Sequence, residues 1–153
     1  MSMKQRQIFF AVGLWMGVQG LAPVMAAAKP SMTVYRSPTC GWCEKWVAHM
    51  RQNGFKVEDI VSSDMEAVKQ QRGVPKALRS CHTAVVGQHV IEGHVPAQDI
   101  EALLKGPASP YGISVPGMPS GTPGMEMGGR KDPYDVVGFE KNGSSKLLRH
   151  VAE

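Results

Sequence analysis

Cys40, Cys43 and Cys81 carry the most legible chemistry in this sequence, with His82, His94, Met118 and Met125 as further donors. The spacing Cys40-Gly41-Trp42-Cys43 lets two sulfurs close a small disulfide ring or grip one soft metal ion. Cys81 stands directly before His82, so a thiol and an imidazole leave the backbone side by side. His94 follows Gly93 at the end of an apolar run, whereas His89, His49 and His150 read as turn, solvated-helix and terminal residues. Core methionines recur at helical or strand spacing, as Met50 and Met65 do. Met118 and Met125 instead stand in Pro-Gly-Met contexts, where each is a packed plug or a soft ligand, and Met127 is a weaker instance of the same.

The N-terminus sets the compartment in which these sulfurs are read. Lys4 and Arg6 precede an apolar run from Ile8 to Leu21, and Ala26-Ala27-Ala28 offers small residues for cleavage. The run is shorter than the roughly 20 residues of a membrane span, so the expectation is a signal peptide over 1–28 and a mature domain over 29–153. Its removal takes the formal charge from +4 to +2, because Lys4 and Arg6 leave and no acidic residue does. Such a chain has neither the basic stripe of a nucleic-acid partner nor a remaining membrane segment. All three cysteines stay behind in an oxidising compartment. An odd count leaves one without an intramolecular partner, which calls for a reactive thiol, a metal ligand or an intermolecular bridge.

The elements that must position these groups follow from periodicity. Ser31–Arg36 is short and β-rich; Cys40 to about Gln52 is helix-compatible, with Trp42, Trp46, Val47 and Met50 at helical spacing and Asn53-Gly54 as its stop. Phe55–Val61 alternates as a second strand. Ser63 or Asp64 caps a helix over Met65–Arg72, ended by Gly73. Thr83–Val86 and Val90–Val95 form a hairpin about Gly87-Gln88, and Pro96 sits at the first turn of a helix over Ala97–Leu104. Residues 106–129 hold five of the eleven prolines and seven of the seventeen glycines. They are expected to lack regular structure and to wrap on the domain as an ordered loop rather than a solvated linker. Tyr134–Glu140 and Lys146–Val151 complete a terminal hairpin over Asn142-Gly143.

A C-x-x-C between a first strand and a first helix, inside β-α-β-α-β-β-α, is the pattern of thioredoxin and glutaredoxin-like domains. In that order the residues just before the hairpin lie beside the C-x-x-C, normally with a cis-proline. Here Ser80-Cys81-His82-Thr83 takes that place, with Pro75 further upstream. Cys81 is therefore expected to face Cys40 and Cys43, a gathering that serves a thiophilic metal better than a simple dithiol enzyme. Thiolate and thioether ligands select Cu(I), and imidazole suits copper or zinc. A structural disulfide at Cys40–Cys43 and an inert buried thiol at Cys81 are the bland alternatives.

Several stretches together resemble the CopG-type copper-resistance proteins, long catalogued as a domain of unknown function. They are V-Y-R-S-P-T-C-G-W-C-E-K-W-V-A-H-M, G-V-P, S-C-H-T-A-V-V, V-I-E-G-H-V-P-A-Q-D-I and V-P-G-M-P-S-G-T-P-G-M-E, spread over Met32 to Tyr134. The resemblance implies a thioredoxin-like fold, a periplasmic location and copper bound through Cys40, Cys43 and Cys81, with redox interconversion of Cu(I) and Cu(II) as a further activity. His82, His94, Met118 and Met125 belong to motifs typical of that family. It usually reads C-G-C-C where this chain has Trp42, a lost thiol that lowers the copper capacity or shifts the balance toward dithiol chemistry. Copper ions and other periplasmic copper-handling proteins are the partners implied. Two readings compete with a copper-binding role: a thiol-disulfide oxidoreductase using Cys40 and Cys43, and an adaptor using the methionine loop as a surface.

Overall fold

The computed structural model describes residues 28–152; the expected signal peptide lies almost wholly outside them. The chain runs β1 (Ser31–Arg36), α1 (Gly41–Gln52), β2 (Lys56–Val61), α2 (Met65–Gln71), a 3-10 turn (Lys76–Leu78), β3 (Thr83–Val86), β4 (His89–Glu92), α3 (Ala97–Lys105), β5 (Gly112–Ser114), β6 (Tyr134–Phe139) and β7 (Ser145–Val151). One seven-stranded mixed sheet has the order β2-β1-β3-β4-β5-β6-β7. The predicted β-α-β-α-β-β-α succession is present, with the terminal hairpin added at the far edge. Among the described residues no helix is long and apolar enough to cross a membrane.

Each element has a local cause. Asp64 accepts the Ala67 N–H at 2.9 Å and so starts α2 as a side-chain cap. Pro96 stands one position before the expected first turn, and its carbonyl accepts from Asp99 and Ile100 to open α3. The helices cover the sheet through an apolar cluster of Met32, Val34, Trp46, Val47, Met50, Ala84, Val86, Ile91, Ile100 and Ile113. Trp46 is fully buried, and its indole N–H donates to the Val95 carbonyl at 2.9 Å, so its polar atom is satisfied inside the core.

Two expectations need correction. Residues 106–129 do contain regular structure: Gly112–Ser114 pairs in parallel with β4 and antiparallel with β6. A three-residue strand framed by prolines and glycines has too little periodicity to read. It exists because β4 and β6 each offer it a row of backbone partners. Gly112 is required there, since a Cβ would stand 2.6 Å from the Val90 carbonyl oxygen and against the Phe139 ring. His49 is the second: it is half-buried rather than solvated, and its Nε2 is buried without a hydrogen-bond partner.

The register explains where the chemistry gathers. Tyr35 pairs with Thr83, Thr83 with Glu92, and Glu92 with Ser114, so four adjacent strands are aligned across one end of the sheet. The chain leaves β1 toward Cys40, enters β3 from Cys81 and His82, leaves β4 toward His94, and leaves β5 toward Met118. Four sequence-distant segments thus meet at one edge.

Candidate metal centre

Cys40 occupies the N-cap of α1, where its sulfur accepts the Cys43 N–H at 3.3 Å. The unpaired N–H groups and dipole of a helix start favour negative charge, so a thiolate formed at this position is stabilised. Cys40 and Cys43 are joined as a disulfide, with Cys40 half-exposed and Cys43 fully buried. Arg36, at the end of β1, holds this corner: its guanidinium forms a bidentate pair with Asp59 of β2 and reaches Glu44 of α1 at 3.1 Å.

Cys81 is a free thiol placed between that disulfide and two imidazoles. The sulfurs of Cys40, Cys43 and Cys81 lie within 4.8 Å of one another, as do Cys81 Sγ and one ring nitrogen each of His82 and His94. Cys81 Sγ is 3.1 Å from His82 Nδ1 and 3.1 Å from His94 Nε2. His94 Nδ1 lies 2.8 Å from the Pro123 carbonyl, an acceptor that fixes the proton on that nitrogen and leaves the Nε2 lone pair facing Cys81. His82 is fully buried against Trp46, ring centroids 4.4 Å apart, and its Nε2 has no hydrogen-bond partner.

Burial sets the protonation of all three. It holds the His82 imidazole well below its ordinary range, with the neighbouring His94 and Lys69 adding to the effect. It lowers His94 as well, against the pull of the Pro123 carbonyl and Glu126. It pushes the Cys81 thiol up, opposed by the Ser80 hydroxyl and by Lys69. Two neutral imidazoles and a thiol that a cation would deprotonate form a donor set with no competing positive charge of its own.

The methionines divide. Met118 is 43% exposed and, with Cys40, Trp42, Lys45 and Cys81, lines an open groove of about 830 Å³. Met125 is buried, on a loop seated against α1: Gly124 adopts φ +85°, and a Cβ there would lie 2.7 Å from the Trp46 backbone nitrogen. Met127 is exposed. The structure therefore brings Cys40, Cys43, Cys81, His82 and His94 into one cluster, adds Met118 at its groove, and sets Met125 in the loop that carries the Pro123 carbonyl.

One pair beneath the cluster escaped the sequence reading. Lys69 and Glu92 are both buried, with Nζ 2.6 Å from Oε1. Glu92 also accepts from the Ser80 N–H and the Thr83 hydroxyl, each at 2.6 Å, and Lys69 donates to Thr83 at 3.1 Å. Ser80 and Thr83 flank Cys81 and His82, so this ion pair clamps both ends of the ligand-bearing segment. A charge in the otherwise apolar run Val90-Ile91-Glu92 was the available signal, since a charge in such a strand must be paired.

Fold and site together define a small α/β protein whose sheet edge gathers thiols and imidazoles in a set suited to a soft or borderline metal ion. A family model described as a protein of unknown function, DUF411, matches residues 78–125, the segment from the turn before Cys81 to Met125. Two solved structures, titled copper resistance protein CopG forms 1 and 2, are each 46% identical to this chain. They cover 82% and 81% of it and 99% of their own length, with TM-scores of 0.78 and 0.77. No curated protein sequence matches. The chain belongs to the CopG copper resistance protein family.

Proposed function

We propose that this protein is exported to the periplasm and binds copper there as Cu(I), in a copper-resistance or copper-handling role. Cys40, Cys43 and Cys81 supply the thiolates; His82, His94, Met118 and Met125 complete the donor set. The observation that carries this reading is the convergence of three sulfurs and two imidazoles around Cys81. Thiolates prefer Cu(I), and the relatives' printed titles name copper resistance. The disulfide must first open, taking two electrons and two protons from a thiol reductant, so the site's capacity for Cu(I) depends on its redox state. That coupling is what a copper-redox activity would use. Met118, exposed in the groove, is the donor placed to meet an incoming ion or a partner that delivers it.

Anaerobic titration of the reduced protein with Cu(I) against a competing chelator is the decisive experiment. Copper is expected to be retained by the native chain and lost in Cys81→Ser. Failure of the native reduced protein to hold copper overturns the proposal.

A second reading, a thiol-disulfide oxidoreductase, is favoured by one observation: the half-exposed Cys40 of a closed disulfide lines the open groove. Reduction of a protein disulfide such as that of insulin would then require Cys40 and Cys43 and persist in Cys81→Ser.

A further inference from the structure

In the disulfide form the three clustered sulfurs are not equivalent. Two are bonded to each other, and the third is a free thiol within 4.8 Å of both. Thiol–disulfide exchange needs a thiolate beside a disulfide sulfur and consumes neither oxidant nor reductant. We propose that Cys81 attacks the Cys43 sulfur with His94 as base, so that the disulfide migrates between Cys40–Cys43 and Cys43–Cys81 and frees Cys40 as a thiol in the groove.

The surroundings of each group assign its part. His94 Nε2 lies 3.1 Å from Cys81 Sγ, and His94 Nδ1 is held by the Pro123 carbonyl at 2.8 Å. A proton taken by Nε2 therefore leaves a ring with an acceptor on each side, the arrangement of a thiol nucleophile with an oriented base. His82 Nδ1 is equally close to the sulfur, but its Nε2 is buried without a partner, so a charged His82 ring would hold one N–H unpaired in the core.

Of the two bonded sulfurs, Cys40 is the better leaving group. It caps α1, accepts the Cys43 N–H at 3.3 Å and lines the open groove, so its departing thiolate meets the positive helix end and water. Cys43 is fully buried and has no such support as a leaving thiolate, which directs the attack to its sulfur. A thiolate arriving from solvent meets only Cys40; Cys81 meets Cys43 from within the cluster. The Cys81–Cys43 bond forms as the Cys40–Cys43 bond breaks. Cys81 gives one proton to His94, and Cys40 takes one up from groove water, so proton and electron counts are unchanged. The oxidised protein then carries an accessible thiol that can attack a disulfide of another protein without being reduced first. This activity requires neither a bound metal nor the reduced Cys40–Cys43 pair.

Trapping of the freed thiol tests the proposal. The disulfide form, held with a metal chelator and no reductant, is treated with N-ethylmaleimide and digested with trypsin. Cys40 and Cys43 share the peptide 37–45, and Cys81 lies in the peptide 80–105. The expected product is peptide 37–45 labelled on Cys40 and joined through Cys43 to peptide 80–105. His94→Gln should slow its appearance by at least about tenfold, whereas a mere loss of stability would speed labelling. Cys40→Ser should close a Cys43–Cys81 disulfide within one chain on mild oxidation. Label confined to Cys81, with the Cys40–Cys43 ring intact, overturns the proposal. So does an undiminished rate in His94→Gln, or failure of Cys40→Ser to close that bond. Copper retention by the reduced protein is measured separately, so either proposal can fail while the other stands.

Discussion

At the scale of single residues, position within the cluster decides role more than residue type does. Cys40 and Cys43 are three residues apart, yet one is half-exposed at a helix cap and the other fully buried. An incoming thiolate can therefore reach only the Cys40 sulfur. Gly124 is a second case. Its φ of +85° and the 2.7 Å approach to the Trp46 nitrogen leave no room for a side chain, and the opposing atom is backbone that cannot swing away. Gly124→Ala is expected to cost about 1–3 kcal/mol of stability from the backbone conformation alone. It should also weaken metal retention, because Pro123, which orients His94, precedes it directly. Thermal melting together with copper competition checks both; unchanged melting would show that the loop does not rest on α1 as described.

At the scale of elements, the segment from Ser80 to Thr83 is held by the Lys69–Glu92 pair, which links α2 to β4 beneath it. Lys69→Met or Glu92→Gln alone breaks the pairing of two buried charges and is expected to cost about 3–5 kcal/mol, read as a shifted urea midpoint. Replacing both together, as Lys69→Met/Glu92→Leu, removes the uncompensated charge and should recover much of that loss. The double variant should nevertheless bind metal more weakly than the native chain, since Ser80 N–H and Thr83 lose their common acceptor. Native-like metal affinity in a stable double variant would show that the pair serves folding alone. The same scale explains what periodicity could not reveal. β5 is three residues long and owes its existence to neighbours on both sides, while α1, with its apolar face and glycine stop, declares itself locally.

At the scale of the whole molecule, burial of imidazoles couples stability to pH. His82, His94 and His49 all have folded-state values below the ordinary one of about 6.5, in each case chiefly because burial disfavours the charged ring. Between the folded values and 6.5 the unfolded chain binds more protons than the folded one, so stability is complete above that range and declines as pH falls through it. The metal-free disulfide form is accordingly expected to melt at progressively lower temperature from pH 7 toward pH 5. A flat or rising profile would mean that these rings become charged without cost in the folded state. A bound cation at His82 and His94 should carry the decline to lower pH, because protons must then displace it first.

Much of this protein was determined by the sequence alone. The strand and helix succession, the C-x-x-C at a helix start, the hairpin turns and the family motifs are local patterns, set by periodicity, capping and residue spacing within a few positions. Tertiary structure alone decided the rest: which imidazole nitrogens face Cys81, that Lys69 and Glu92 clamp the segment bearing it, that Met118 stays exposed while Met125 is buried, and that β5 exists. Each depends on partners far away in sequence, brought together by sheet register and desolvated by packing, and no local spacing encodes a distance across strands.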